Sequence, residues 1–212
     1  IICILIGYAI GLFQTGYIYG KTQHIDIREH GSGNAGTTNT LRTLGFKAGA
    51  ITFAGDCGKA ILAIFISWLI FHEQYPEGIK LLGMYAGLGA VLGHNYPFYM
   101  KFKGGKGIAT SLGVLLMSNW QIGLICLVFA LVLMILTKMV SVGSCGAAVL
   151  FPVLTLFINE NYTVLTEGKS GKVYFVYSVI LAIIVLYNHR ANIKRIMSGT
   201  ENKLNFGKKE NN

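Results

Sequence analysis

The sequence has 212 residues, of which 53% are hydrophobic and 13% are charged, and its net charge is +9. Soluble domains carry about 25% charged residues, and a disordered chain has low hydrophobicity. A nucleic-acid-binding domain places its basic charge on a water-exposed face, whereas here basic residues alternate with apolar runs too long for a small soluble core. The composition excludes a disordered chain, argues against a nucleic-acid partner and predicts an integral membrane protein.

The apolar runs, taken in chain order, predict an all-α protein with seven transmembrane helices. A bilayer core of about 30 Å requires roughly 20 apolar helical residues. The runs cover residues 1–20, 46–71, 79–100, 108–117, 120–137, 139–158 and 173–187. The fourth run reaches only about 15 Å as a helix, so we expect a short helix buried among its neighbours. The first run lacks the features of a signal peptide, and we expect it to remain as a helix.

The charge distribution predicts the orientation of these helices. Fourteen of the 18 basic residues fall in segments 21–47, 101–107, 190–212 and at Lys138, and the segments between these carry most of the acids. Cytoplasmic loops of membrane proteins carry an excess of Lys and Arg. We therefore expect an N-terminus outside, a cytoplasmic C-terminus, an outer loop at 159–172, a single helical domain over 1–200 and a polar cytoplasmic tail over 201–212.

Few polar side chains lie within the apolar runs. The four cysteines have no paired spacing, which favours packing over a disulfide or metal role. Asp56 and Lys59 lie three residues apart, hence on one helical face, within a segment where charge is costly. Two interpretations stay open: a structural ion pair, or a pair that supports a polar site in the bundle.

Three polar segments at the predicted cytoplasmic face carry the chemistry. They are His30 to Arg42, Lys101 to Ser111, and Asn188 to Glu201. Residues 31–36 match G-x-G-x-x-G, but a dinucleotide site requires a βαβ unit, and this segment joins two apolar runs. A Walker A motif is excluded because Gly107, not Ser or Thr, follows Lys106. Glycines ahead of a helix let backbone N–H groups converge on an anion, so the first two segments predict two phosphate cradles.

The cradles supply the candidate binding residues, and Arg suits bidentate phosphate contact. We expect phosphate binding by Gly33, Asn34, Thr37, Asn39, His94, Lys103, Gly104, Gly105, Lys106, Gly107 and Thr110. His189 ends the last run at the level of both loops. A histidine there is either structural or an acid–base group near neutral pH.

The three segments resemble a known family. GSGNAGTTNTLR, KFKGGKGIATS and HRANIKRIMSGTEN are similar, in this order, to the three motifs of the bacterial acyl-phosphate:glycerol-3-phosphate acyltransferases, the PlsY family. The likeness includes the lead-in IDIREHGSGN and the run GHNYPFYMKFKGGKG. Gln14-Thr15-Gly16 departs from a Ser-Ile-Pro-like stretch common in the family. It lies in the first helix, where we expect no effect on the site.

The resemblance implies a seven-helix acyltransferase of the bacterial cytoplasmic membrane, with its active site at the cytoplasmic face. Such an enzyme transfers a fatty acyl group from acyl-phosphate to the sn-1 hydroxyl of glycerol 3-phosphate, giving lysophosphatidic acid and phosphate in phospholipid synthesis. It implies no metal and no cofactor. Essential side chains would be Ser32, Arg42, His189 and Asn192, residues 104–107 would bind glycerol 3-phosphate, and Glu201 would be structural.

Both implied substrates are phosphates, which agrees with two phosphate cradles. We expect direct attack by the glycerol hydroxyl on the acyl carbon, with Ser32 stabilising the oxyanion and His189 or a substrate phosphate oxygen taking the proton. An acylated Ser32 is a less favoured alternative. We expect a monomer among membrane lipids. A phosphate transporter, with inverted repeats, and a lipid-binding scaffold are the competing functions.

Overall fold

The computed structural model describes residues 1–157 and 171–204, and this part of the chain is entirely helical, without strands. The predicted outer loop, apart from its last two residues, and the tail beyond Leu204 lie outside the described residues. The helices are α1 (Ile2–Gly11), α2 (Thr15–Thr22), α3 (Thr37–Leu44), α4 (Phe46–Phe71), α5 (Ile79–Asn95), α6 (Ile108–Ser118), α7 (Trp120–Thr137), α8 (Val140–Phe157), α9 (Gly171–Asn188) and α10 (Arg190–Met197).

The outer surface of the helices is apolar, as a lipid environment requires. Helix α7 buries only Ile122, Gly123 and Cys126, while both of its valines and most of its leucines and other isoleucines are exposed. Four helical stretches in the described part are long and apolar enough to span a membrane, namely 2–22, 46–71, 120–137 and 140–157. Helices α9 and α10, bent by 64°, form a fifth candidate. The protein is an integral membrane protein, and the count of seven spans stays a prediction.

Glycines bring α1 and α5 into close contact. A Cβ on Gly7 would lie 2.0 Å from the carbonyl oxygen of Ala86, and one on Gly89 would lie 2.2 Å from that of Ile4. Gly11 and Gly93 repeat these contacts one turn later. Small residues spaced by four let membrane helices approach closely without a hydrophobic driving force. The result is a tightly packed pair that fixes the C-terminal end of α5.

Two predicted helices are interrupted. The first run divides into α1 and α2 around Gln14, which is fully buried. Its Nε2 donates to the carbonyl of His94 at 3.0 Å, so the Gln14–Gly16 departure touches the site that we expected it to avoid. In the third run, 79–100, the helix ends at Asn95 and not at Met100. Pro97 has no N–H to continue the helix, and a 3₁₀ turn, Phe98–Met100, follows.

The predicted short helix is present as α6, of 11 residues, and most of its residues are buried. It ends at Ser118, and the side chain of the next residue, Asn119, accepts a hydrogen bond from Ile122 N at 3.0 Å and caps α7. An N-cap side chain satisfies a backbone donor that would otherwise lack a partner inside an apolar bundle. The capped turn therefore reverses the chain after a helix that is too short to cross the hydrocarbon core of a bilayer.

Helix α3 was not predicted. The eight residues Thr37–Leu44 form a helix of their own, separated from α4 by Gly45, whose φ is 88°. Apolar periodicity did not reveal this helix because only two of its residues, Leu41 and Leu44, are apolar. It matters for the site because its N-terminus, not that of α4, follows the first glycine-rich segment.

Candidate active site

The first glycine loop (residues 30–36) is shaped by an asparagine. Gly31 and Gly33 have φ of 60° and 69°, values that glycine adopts without strain. Asn39 Nδ2 donates to the carbonyls of Ile27 and His30, both at 3.0 Å. Asn39 Oδ1 accepts from Ser32 N at 2.8 Å. The Asn39 side chain thus holds the loop's backbone, while the Ser32 side chain lies at the exposed surface.

The second glycine loop (residues 104–107) packs on the C-terminal end of α5. Gly104 N donates to the carbonyl of Asn95 and Gly105 N to the carbonyl of His94, both at 3.1 Å. A Cβ on Gly104 would lie 2.0 Å from the His94 carbonyl oxygen. Gly107, with φ 85°, is the N-cap of α6. A methyl group at any of these three positions would collide with His94 or Asn95. The absence of side chains therefore lets the loop backbone lie directly against the end of α5.

The three polar segments meet at one end of the bundle, which we call the motif end (residues 30–42, 101–111 and 188–204). Asn34 Nδ2 donates to Gly104 O at 3.1 Å and joins the two loops. Lys106 Nζ donates to Asn192 Oδ1 and joins the second loop to α10. Arg42 Nη2 contacts Asn202 O at 3.4 Å. Residues 70 to 160 positions apart in the sequence therefore form a single site.

Glu201 organises the third segment. It accepts hydrogen bonds from Asn192 Nδ2 at 2.8 Å, Ser141 Oγ at 3.0 Å and Arg195 Nε at 2.8 Å. Although burial opposes the charged carboxylate, these donors outweigh it and lower the pKa of Glu201. Asn192 thus has its amide nitrogen fixed by Glu201 and its oxygen fixed by Lys106.

His189 lies at the bend between α9 and α10 and is 3% exposed. Its Nδ1 lies 2.8 Å from the carbonyl oxygen of Val185. A carbonyl can only accept, so Nδ1 carries the proton, and Nε2 of the neutral ring is an acceptor. This tautomer leaves a nitrogen able to receive a proton.

The cations of the motif end are close together. Burial, followed by the neighbouring Arg195 and Arg42, lowers the pKa of Lys106, while Glu201 acts in the opposite direction. Cations gathered at glycine-rich backbone favour the binding of an anion. The arrangement can neutralise a phosphate, and its electrostatic repulsion is relieved when an anion binds.

Several hydroxyls at the motif end are buried without a protein partner. Thr37 Oγ1, Thr110 Oγ1 and Ser111 Oγ accept or donate no hydrogen bond among the described residues. All three lie in the first turns of α3 or α6, directly after a glycine loop. Buried polar atoms normally have partners, so these hydroxyls are available to a bound ligand.

An apolar cavity extends from the motif end between α6, α7, α8 and α9. Its lining begins at Ile108 and Ser111, next to the second glycine loop, and at Val185, whose carbonyl bonds to His189. Leu115, Cys126 and Phe151 lie deeper. The cavity is suited to an aliphatic chain whose polar end lies at the glycine loops.

The structure brings most of the predicted site residues together, with differences in their contacts. Asn34, Lys106, Asn192 and Arg42 join the segments, whereas Asn39 and His94 are 1% and 2% exposed and contact loop backbone or buried side chains. Lys103 is exposed. In residues 1–157 and 171–204, no group of three or more His, Cys, Asp or Glu side chains is arranged to hold a metal ion.

Sequence reasoning gave no role in the site to four polar residues of this region, although it included Asn188 in the third segment; they are Gln14, Asn95, Ser141 and Asn188. Asn95 and Asn188 each adjoin a motif histidine at the end of an apolar run, which was a usable signal. Ser141 lies within an almost continuous apolar run, and nothing in its neighbourhood indicated the contact with Glu201, 60 positions away.

Two glycine loops, clustered cations and a histidine at the end of an apolar, lipid-facing bundle define a membrane enzyme for phosphorylated substrates. A family model described as glycerol-3-phosphate acyltransferase matches residues 1–199. The chain belongs to the glycerol-3-phosphate acyltransferase family and is an acyltransferase of phospholipid synthesis. The competing functions of transporter and scaffold lose their support.

Relatives and solved structures agree with this assignment. A glycerol-3-phosphate acyltransferase of Thermoanaerobacter sp. (strain X514) is 43% identical over 202 residues, covering 94% of this chain and 93% of the relative. One of Bacillus subtilis (strain 168) is 39% identical and covers 96% of each chain. The glycerol 3-phosphate form of PlsY (YgiH), an integral membrane enzyme, is similar with a TM-score of 0.82 and 29% identity, covering 96% of this chain and 94% of that one. Its lysophosphatidic acid form gives a TM-score of 0.80 at the same identity and coverage.

Proposed function

We propose that this protein transfers a fatty acyl group from acyl-phosphate to the sn-1 hydroxyl of glycerol 3-phosphate, giving lysophosphatidic acid and phosphate, at the cytoplasmic face of the membrane. The main observation behind this proposal is that the two glycine loops and α10 meet in one site. The loops are joined by Asn34, and the second loop is joined to α10 by the contact of Lys106 with Asn192. The bound forms of the similar structure, glycerol 3-phosphate and lysophosphatidic acid, support the acceptor and the product.

The second glycine loop binds the phosphate of glycerol 3-phosphate. The N–H groups in the first turn of α6, which begins directly after the loop, and the Thr110 hydroxyl supply donors. The first glycine loop, with Gly33, Asn34 and Thr37, faces the other phosphate, that of the acyl donor. Arg42 and Lys106 neutralise charge on the departing phosphate. Two phosphates thus have two cradles joined by the Asn34–Gly104 hydrogen bond.

The acyl chain lies in the apolar cavity between α6, α7, α8 and α9. Ala147 lines this cavity, and Ala147→Phe is expected to raise the KM for palmitoyl-phosphate roughly tenfold by excluding the chain. Ala9→Phe, on an exposed face of α1, is the matched control and leaves that KM unchanged. Equal KM values for the two variants would place the acyl chain elsewhere.

Chemistry proceeds by direct attack. Acyl-phosphate is a mixed anhydride, so the glycerol oxygen forms a bond to the acyl carbon and the bond from that carbon to the phosphate oxygen breaks. His189 Nε2 or a substrate phosphate oxygen takes the hydroxyl proton. Ser32 and the loop N–H groups stabilise the tetrahedral oxyanion, and Asn192 keeps Lys106 in place. No acyl-enzyme is required.

The deciding experiment uses purified protein with palmitoyl-phosphate and glycerol 3-phosphate and follows phosphate and lysophosphatidic acid together. Equal amounts of both products are expected, with loss of both in Ser32→Ala and His189→Ala. His72→Ala, at the opposite end of α4, is the matched control. Neither product from folded protein would overturn the proposed function, and palmitoyl-CoA serving equally well would overturn the donor.

The position of the ester and the fate of Ser32 are tested in the same reaction. The product is expected to carry its acyl group at the sn-1 oxygen, as read by NMR before migration. Mass spectrometry of enzyme quenched during turnover is expected to show unmodified Ser32. An acylated Ser32 peptide would replace direct attack by a two-step mechanism.

A further inference from the structure

A buried cluster of ionisable side chains lies beneath the second glycine loop and takes no part in the reaction proposed above. Asp56 and Lys59 belong to α4, and His94 belongs to the last turn of α5. The three residues are 1%, 5% and 2% exposed. Charge at such depth is costly, which raises the question of what the cluster does there.

Each of the three N–H donors of the Lys59 ammonium group has an acceptor nearby. Its Nζ lies 2.6 Å from the carbonyl oxygen of Phe13, 2.7 Å from His94 Nδ1 and 3.0 Å from Asp56 Oδ1. An ammonium group has three N–H donors, and here three acceptors surround it. Thr15 Oγ1 donates to Asp56 Oδ1 at 3.3 Å. The cluster therefore joins the break between α1 and α2 to α4 and α5.

This arrangement fixes the orientation of the His94 ring. Because Nδ1 accepts from Lys59, Nε2 carries the proton in the neutral ring. Nε2 faces the second glycine loop, since a Cβ built on Gly105 would lie 2.0 Å from it. The carbonyl of the same residue accepts from Gly105 N at 3.1 Å. One residue thus supports the loop through both its ring and its backbone.

We infer that Lys59 and Asp56 are positioning residues for glycerol 3-phosphate, acting through His94 on the glycine loop that binds its phosphate. The inference rests on the proposed function of that loop. A purely structural ion pair would stabilise the fold without favouring either substrate. A positioning cluster affects the affinity for the one substrate whose phosphate the loop holds.

The first test separates the two substrates kinetically. The double variant D56N/K59M removes both charges together, because removing one alone would leave the other buried and unpaired. The KM for glycerol 3-phosphate is expected to rise roughly tenfold, since small misplacements of binding groups have such effects. The kcat and the KM for palmitoyl-phosphate are expected to change less than about twofold. Ser67→Ala, buried on the same helix outside the cluster, is the matched control and changes none of the three.

The second test asks whether His94 is the contact that makes glycine necessary at position 105. Gly105→Ala is expected to raise the KM for glycerol 3-phosphate about a hundredfold, because the methyl group meets the His94 ring. His94→Asn keeps an acceptor for Lys59 but lacks the outer ring atoms. In H94N/G105A the methyl group fits, and the KM is expected to recover to within roughly tenfold of the wild-type value.

Three results would overturn the inference. They are an unchanged KM for glycerol 3-phosphate in D56N/K59M, equal changes of both KM values, or an H94N/G105A variant no better than Gly105→Ala. Recovery is a gain of activity, so unfolding cannot produce it. If the wild-type protein makes no lysophosphatidic acid, the proposed function itself fails, which these variant comparisons distinguish from failure of the positioning role.

Discussion

The two glycine loops have similar composition but differ in what their glycines do. In the first loop, Gly31 and Gly33 have positive φ, and the Asn39 side chain, against which Gly31 also packs, holds the loop in shape. In the second loop, Gly104 and Gly105 allow the backbone to touch His94. The first loop lies largely at the exposed surface, whereas Gly105 and Gly107 are buried. The comparison teaches that glycine-rich motifs of one enzyme can tolerate substitution very differently.

The largest expected effect comes from Gly104→Ala. The added methyl group would meet the His94 carbonyl at 2.0 Å, and this backbone atom cannot rotate away. We expect kcat/KM for glycerol 3-phosphate to fall by a hundredfold or more, a loss of about 2.7 kcal/mol in transition-state stabilisation. Gly58→Ala, on α4 with no atom within 4 Å of the new Cβ, is the control and keeps full activity. Full activity of Gly104→Ala would remove the contrast between the loops.

Asn39→Ala tests what holds the first loop. The substitution removes an amide that bonds to three backbone groups, two of them carbonyls. We expect the free energy of unfolding to fall by about 2 kcal/mol, measured by denaturant or thermal unfolding in detergent. The exposed Gln74→Ala should leave stability unchanged. A fully stable Asn39→Ala protein would show that the loop holds its shape without this side chain.

Gly33→Ala is expected to have a smaller effect than either. The position has φ 69°, and the nearest neighbour of a Cβ is Arg28 O at 3.2 Å, so strain rather than a severe clash opposes the methyl group. Left-handed backbone costs about 1–2 kcal/mol for a residue with a side chain. Activity should fall roughly fivefold to tenfold, and steady-state kinetics on both substrates would measure it. A loss as large as that of Gly104→Ala would contradict the distinction.

The smallest effect concerns charge at the second loop. Because the pKa of Lys106 is lowered, its proton is lost at a lower pH than that of a free lysine, and binding of a phosphate weakens above that pKa. The KM for palmitoyl-phosphate, whose phosphate Lys106 neutralises in the proposed reaction, should rise with pH in the alkaline range. Lys106→Arg, which stays charged, should flatten this rise. Lys103→Arg, at an exposed position, should keep the wild-type profile, and a rise in both variants would exclude Lys106 as its source.

The sequence predicted the helical elements well where apolar runs are long. Residues 46–71 and 120–137 form helices with the expected bounds, and the buried helix α6 extends one residue beyond its prediction. Helix α3 escaped prediction because only two of its eight residues are apolar, and α5 ends early because of Pro97. The length of an apolar run and the residue that ends it are local properties of the chain. A single sequence is therefore enough to predict the bounds of such helices.

The contacts of the site were less predictable. The motifs identified Lys106 and Asn192, but their contact joins residues 86 positions apart and depends on the packing of α6 against its neighbours. The pairing of Asp56 with Lys59 followed from helical spacing and is confirmed at 3.0 Å. The contact of His94 with that pair could not be predicted from the sequence. It requires α4 and α5 to pack so that His94 lies at the same level as Lys59. Local chemistry predicted the members, and tertiary packing decided their partners.

The hydrogen bonds of Asn192 and Glu201 also have a consequence for the order in which the site is completed while the protein itself is synthesised. Residues 190–204 complete a site whose other parts come from much earlier in the chain, through Lys106, Ser141 and Arg42. A nascent chain that has inserted α1 to α8 still lacks both His189 and the carboxylate that fixes Asn192. On the proposed function, we therefore expect acyl transfer to begin only after the last helices have left the ribosome, and a partly synthesised protein to be inactive.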